Sequence, residues 1–346
     1  MNRLRRFGLF IVSATAIIAL LAFATLQQEL ARNVFSGLQD WFSHNTGWLL
    51  ILIMNAALLF AVYLIFSPLA HIRLGGKDAR PEFSRLDWFG MLFAAGMGIG
   101  LMFYGVSEPV THYGTAMGGT TVEDGVRTDW APLGAAEGDQ QAAQRLSMSA
   151  TIFHWGLHPW AIYSVVALAL ALFSFNKGLP LTIRSIFYPL LGERVWGWPG
   201  HIIDILAVFA TLFGLATSLG LGATQATAGL EYLFEIPNTD TTRILLIMAI
   251  TAVALSSILL GVDKGVRRLS EVNLVLAAIL LLFVILVGPT LAIATGFFEN
   301  LGAYLVNLPA LANPFGREDA NFSQGWTAFY WSWWIAWSPF VGMFIA

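Results

Sequence analysis

Six aromatic side chains fall into two tight clusters: Trp333, Trp334 and Trp337 lie in WSWWIAWSPF (331–340), and Trp155, Trp160 and Tyr163 in FHWGLHPWAIY (153–163). Both stretches are too apolar for a soluble surface. Indole and phenol faces attract cations, and several faces around one point make a cage for a quaternary ammonium group. Two such clusters in membrane helices would mark a path for a methylated cation through a bilayer. The other reading is an aromatic belt at the membrane–water interface. A belt suits Trp326 and Trp331, near a helix start. It suits Trp333, Trp334 and Trp337 less well, because apolar sequence continues beyond them.

Helical phase gives the clusters a shape. Trp160 and Tyr163 are three apart and share a face. Trp155 falls ~80° around from Tyr163 in a continuous helix at ~100° per residue. Trp333 and Trp334 are four and three residues before Trp337, and Pro339 removes a backbone donor just beyond. A cluster beside a weakened helix is what a midplane binding site requires.

A third feature is AAGMGIG (94–100), in which Gly96, Gly98 and Gly100 alternate within an apolar span. Each glycine costs a helix ~0.8–1.0 kcal/mol relative to alanine. The run permits unwinding, which at membrane depth is tolerated around a cavity whose backbone carbonyls can hold a cation. Gly96 and Gly100 also have the spacing of tight helix packing, and the two readings are compatible. Thr211, Thr217 and Ser218 place hydroxyls at membrane depth, where bonding to their own helix backbone is the ordinary outcome. The ionisable candidates are Glu108, His154 and His158. Glu108 is expected near the outer boundary, where solvent would satisfy it. His154 and His158 have a metal-ligand spacing but no third ligand in sequence, so no transition-metal site is expected.

These residues must be positioned by membrane helices. The sequence is 57% hydrophobic and 11% charged, with a mean hydropathy of +0.69. Segments of about 20 apolar residues cross ~30 Å of hydrocarbon, and eight are expected: 7–25, 47–67, 88–106, 146–174, 201–228, 243–262, 272–295 and 324–346. The first resembles a signal peptide, but its apolar run is too long and no cleavage pattern is convincing. With the N-terminus in the cytoplasm, the inside loops hold 13 of the 18 Lys and Arg residues, as the positive-inside rule requires. The absence of cysteine excludes disulfides, thiol catalysis and thiolate metal sites.

Between spans, 107–145 reads as a long outer loop covering the site's mouth, and 296–323 as an outer amphipathic helix too interrupted to span. Residues 175–198 read as an inner-face connector. No internal sequence repeat is visible. Ala346 falls within an apolar helix with no basic stop after it, so the chain is expected to be part of a longer protein, truncated within its eighth transmembrane helix.

Taken together, AAGMGIGLMFYGVSEP (94–109), FHWGLHPWAIYSVVALAL (153–170), TLFGLATSLGLGATQ (211–225), FYWSWWIAWSPFVGMFIA (329–346) and the linker SPLAHIRLGGKDARPEFSRLDWF (67–89) resemble the betaine/carnitine/choline transporters. The resemblance covers essentially the whole chain. It implies an all-α polytopic membrane protein with a LeuT-type fold, in which ten of twelve helices form two inverted repeats. Residues 1–87 would be two N-terminal helices and a cytoplasmic linker, 88–262 the first repeat bundle, and 263–346 helix 7, the outer helix and helix 8. It also implies a homotrimer in the cell inner membrane and no cofactor.

By the same resemblance, Trp155, Trp160, Tyr163, Trp333, Trp334 and Trp337 form the aromatic box for a trimethylammonium group, beside Gly98 and Gly100. Carbonyls of Ala94 and Met97 help bind sodium in sodium-coupled members. Thr211 and Phe340 match a second sodium position, whose remaining ligand is Leu215 here, without a side-chain oxygen. A proton-coupled variant stays open. Choline carriers of the family resemble Gly-Ile-Asp where this chain has Gly-Ile-Gly ending at Gly100. A net cation is costly to desolvate without a partner, whereas a zwitterion brings its own anion, so Gly100 favours betaine over choline. The implied function is uptake of a quaternary ammonium solute, not catalysis and not nucleic-acid binding. An intramembrane enzyme would need a nucleophile and base, and His154 has no such partner in sequence. A channel would need a polar pore lining that these spans lack.

Overall fold

The computed structural model describes residues 3–96, 98–119, 122–123, 126–127, 129–261, 265–317 and 319–346. Eleven principal helices organise them: α1 (Arg3–Leu26), α2 (Gln28–Phe66), α3 (Arg85–Gly96), α4 (Ile99–Gly118), α5 (Gln140–Trp155), α6 (Leu157–Ala171), α7 (Trp198–Phe234), α8 (Asp240–Leu260), α9 (Arg267–Val287), α10 (Thr290–Leu311) and α11 (Ala328–Ile345). A two-residue antiparallel pairing of Val122–Glu123 with Val126–Arg127 is a small departure from the all-α expectation.

Among the described residues, six helical spans are long and apolar enough to cross a membrane, and a seventh is reached if α3 and α4, bent by 59° at their break, count as one span. In α1 the apolar part is the shorter stretch Phe10–Leu26. The eighth expected span, α11, is helical over Ala328–Ile345 with Pro339 inside it. Much of the outer surface of α7, α8 and α9 is apolar and exposed, including Leu206, Leu259, Phe283 and Leu286. Lipid is the medium that tolerates such faces, since each helix satisfies its own backbone.

Several expected boundaries are corrected. The span expected at 88–106 continues as helix to Gly118, with Pro109 inside it, so 107–118 is not loop. The span expected from 146 begins at Gln140, because Asp139 caps it by accepting the Gln141 and Ala142 N–H groups at 3.0 and 3.1 Å. The span expected at 272–295 stops at Val287. Gly288 follows with its N–H on the Val284 carbonyl at 2.9 Å, and a Cβ there would lie 2.6 Å from that oxygen. The segment expected to be too interrupted to span is helical in its first half: α10 carries Pro309 within it and is long and apolar enough to cross. Its Tyr304 and Leu311 are buried, while Phe297, Phe298 and Leu305 are exposed.

The core lies where α11 packs against α2, α6 and α7, and where α5 packs against α4 and α10. The expected inner connector is a string of short turns tied to α7: the Arg184 guanidinium pairs with Asp204 at 2.5 Å.

Candidate functional site

A cavity of about 260 Å³ opens between α3, α4, α5, α6, α7 and α11, near the lower end of small-ligand pockets, ~300 Å³. All six aromatic candidates line it: Trp155, Trp160, Tyr163, Trp333, Trp334 and Trp337. Gly98 and Gly100 line it as well, as do Ala94 and Phe340 of the proposed ion positions. Thr211 is not among its lining residues, whereas Leu215 and Ser218, further along the same helix, are. Met97 lies outside the described residues.

Backbone breaks put the rings there. The sequence reading treated 153–163 as one helix, but α5 ends at Trp155 and α6 starts at Leu157. Gly156 sits at the break, where a Cβ would lie 2.6 Å from the Ile152 carbonyl oxygen. The helix-phase angle between Trp155 and Tyr163 therefore does not apply. Both rings nonetheless meet Trp334, whose centroid lies 4.8 Å from that of Trp155 and 6.2 Å from that of Tyr163. Both crossings are edge-to-face, at 75° and 84°. Trp333 and Trp334 stack at 4.9 Å, and Trp160 meets Tyr163 at 6.1 Å.

The glycines are explained by the rings. Gly100 is buried, and a Cβ there would lie 2.6 Å from Trp333 Cη2 and 3.5 Å from Trp155 Cη2. Gly214 performs the same service for Trp337, whose Cζ3 would lie 2.8 Å from an added Cβ. Close approach, rather than unwinding alone, requires glycine at both positions.

Behind the rings lies a polar network that the sequence reading did not anticipate. Glu108 is fully buried, not solvated at an outer boundary. Its Oε2 accepts from Trp155 Nε1 at 2.9 Å and from the Tyr330 hydroxyl at 2.5 Å. Its Oε1 accepts from His154 Nδ1 at 2.5 Å and from His112 Nε2 at 3.3 Å. Four donors satisfy a carboxylate that burial would otherwise make costly. Trp334 Nε1 donates to the His154 carbonyl at 2.8 Å. His154 and His158 do not converge: His154 Nε2 meets Thr327 Oγ1 at 3.0 Å, and His158 Nε2 meets Asn55 Oδ1 at 3.0 Å. Donor atoms of Glu108, His112 and His154 do lie within 4.8 Å of one another, but those of Glu108 are engaged in the hydrogen bonds just described.

His112 and Tyr330 were missed. Their signal was spacing: His112 is four residues after Glu108, and Tyr330 four before Trp334. The belt reading fails for Trp331, which is fully buried and packs on Phe153 at 4.9 Å. Among the hydroxyls, Thr217 bonds its own helix at Phe213 O, 2.9 Å away.

Comparison with known proteins agrees with this architecture. The betaine/carnitine/choline family transporter profile matches residues 8–346. A glycine betaine/proline/choline transporter of Vibrio parahaemolyticus is 60% identical over 97% of this chain and 61% of its own length. Glycine betaine transporter 1 of the same organism is 50% identical over 94% of this chain and 60% of its own length. The glycine betaine transporter OpuD of Bacillus subtilis is 44% identical, over 97% and 63% respectively. The chain thus spans about three fifths of the length of these relatives. A family match across nearly every residue, with identities of this size, shows that the chain is a multi-pass membrane protein belonging to the betaine/carnitine/choline transporter family.

Proposed function

We propose that the protein takes up a quaternary ammonium compatible solute, glycine betaine foremost, by alternating access, with the trimethylammonium group held by cation–π contact. The observation that carries this reading is the convergence of six aromatic side chains and two glycines on one cavity. A cation within ~6 Å of such faces gains ~0.5–2 kcal/mol per contact, and the rings are pre-placed, so little ordering is needed on binding. The relatives named for betaine transport support the same substrate class.

Sodium is the proposed coupling ion, held in part by the carbonyls of Ala94 and Met97. Thr211 and Phe340 are the weaker second position. The LeuT-type repeats, the division at 87 and 262, the homotrimer, the inner membrane and a cytoplasmic N-terminus belong to the same proposal. Choline or carnitine driven by protons is the second reading, and the Vibrio relative named for choline favours keeping choline in it. The test is labelled betaine uptake by the full-length protein in proteoliposomes, with sodium and pH gradients imposed separately. Saturable uptake driven by sodium supports the proposal. Uptake that ignores sodium and follows protons replaces the coupling ion, and no saturable uptake of any quaternary ammonium overturns the reading.

A further inference from the structure

The described residues lining the cavity include no carboxylate, yet one stands directly behind the wall. Glu108 is 0% exposed, and its Oε2 holds the N–H edge of Trp155 at 2.9 Å. The opposite edge of that indole, Cη2, lies 3.5 Å from where a Gly100 Cβ would sit. One ring width therefore separates the carboxylate from the cavity.

The surrounding hydrogen bonds are compatible with a net negative charge on the cluster. His154 Nδ1 donates to Glu108, and its Nε2 meets the Thr327 hydroxyl. With that hydroxyl assigned as the donor to Nε2, both ring nitrogens are satisfied by a single ring proton, and His154 is neutral. His112 needs only one ring proton for its own contact with Glu108. So assigned, the cluster of Glu108, His112 and His154 carries one negative charge.

We propose that Glu108 determines which substrate charge class the site accepts. Its carboxylate, acting across Trp155 in a water-poor interior, is the counter-charge that lets a net-cationic quaternary ammonium alcohol bind alongside a zwitterionic betaine. The interior transmits charge more strongly than water does. Donating its N–H to an anion also polarises the Trp155 ring toward the cation. A zwitterion gains less, because the attraction for its ammonium is offset by repulsion of its own carboxylate. This inference rests on the cage reading and places an acid behind a cavity lining that, with Gly100, has none of its own among the described residues.

The test is competition uptake of labelled choline and betaine by the full-length protein in proteoliposomes. Wild type should take up both. Glu108→Gln keeps the side chain's size and removes the charge; choline kcat/KM should fall about tenfold more than betaine kcat/KM. Tyr330→Phe removes a hydrogen bond and keeps the charge, so the choline-to-betaine ratio should stay within twofold. Equal losses in Glu108→Gln would show that the carboxylate only positions Trp155, and an unchanged ratio would likewise overturn the proposal. If Glu108→Gln does not fold, His112→Lys keeps the carboxylate and sets a fixed cation beside it. It should lower the choline share several-fold, and an unchanged share would sink the idea. Wild-type uptake of betaine without choline overturns this inference and spares the transport reading. Uptake of neither overturns the transport reading itself.

Discussion

The two sides of the cavity are built in different ways. On the α5, α6 and α11 side, Trp333 and Trp334 are only 8% and 7% exposed, and the indole N–H groups of Trp155 and Trp334 each have a buried acceptor. Those acceptors sit on α4 and α5, and Tyr330 and His154 brace them further. On the α7 side, Leu215 is 47% exposed, and so is Phe340 of α11 across from it. Ser218 contributes a single hydroxyl to that wall and Thr211 contributes none. One wall is fixed by hydrogen bonds from three helices, and the other offers mostly carbon. A site for a methylated cation needs the first kind of wall. A site for a small hard cation needs several oxygens, which the second wall does not supply.

The largest effect should come from breaking the fixed wall. Trp334→Ala removes a ring face worth ~1–2 kcal/mol and leaves the buried His154 carbonyl without its donor, a loss of ~1–3 kcal/mol. Betaine binding should weaken at least 30-fold or so, as read by tryptophan fluorescence titration of the full-length protein, on the rule that ~1.4 kcal/mol is tenfold. Trp334→Phe keeps a face and should lose clearly less. Equal losses for the two variants would mean that packing, not the π face, matters.

Gly100→Asp attacks the same wall sterically. The new Cβ falls 2.6 Å from Trp333 Cη2, so the indole must move, at a cost of ~1–3 kcal/mol. Both betaine and choline should show raised KM, by about tenfold, while the choline share of competition uptake rises because a second acid now partners the net cation. A choline share that stays level or falls would remove Gly100 from selectivity and leave it a packing role alone.

Gly214→Ala tests where the walls meet. An added Cβ lands against Trp337, but it touches one ring edge and leaves the Trp333–Trp334 stack alone. Betaine KM should rise about three- to fivefold, corresponding to ~0.7–1 kcal/mol. A loss as large as that of Trp334→Ala would show that the α7 wall is as tightly specified as the aromatic one.

The aromatic wall was legible in the sequence because its six rings fall within two short apolar windows, 153–163 and 331–340. Ring type and local spacing survive any error in helix boundaries. Glu108 was not legible, because its surroundings depend on where α4 ends. A span stopping at 106 leaves Glu108 at the membrane edge, whereas a helix running to Gly118 puts Glu108 and His112 on one face against α5. Composition could not set that boundary, since Ser107, Thr111 and Thr115 look like loop residues. In the helix each returns its hydroxyl to a carbonyl four residues back. The break at Gly156 was visible as a glycine before Pro159, but whether a Gly–Pro pair bends a helix or ends it is decided by what packs beside it.

The smallest effect should come from Thr211. Its side chain is off the cavity lining, and the cavity-facing position one turn later is Leu215, which has no oxygen to offer. A cation between Thr211 and Phe340 would have one hydroxyl and a ring edge, far short of the several oxygens a hard cation takes. Thr211→Ala should therefore change the sodium half-saturation of betaine uptake by less than about twofold. Leu215→Ser, which places a hydroxyl on the cavity wall, should lower that half-saturation more than Thr211→Ala raises it. Initial rates in proteoliposomes across a sodium series measure both. Sigmoidal sodium dependence that Thr211→Ala abolishes would reverse the comparison, because the carbon-lined wall would then hold an ion after all and the oxygens completing its shell would have to come from groups other than Thr211 and Phe340.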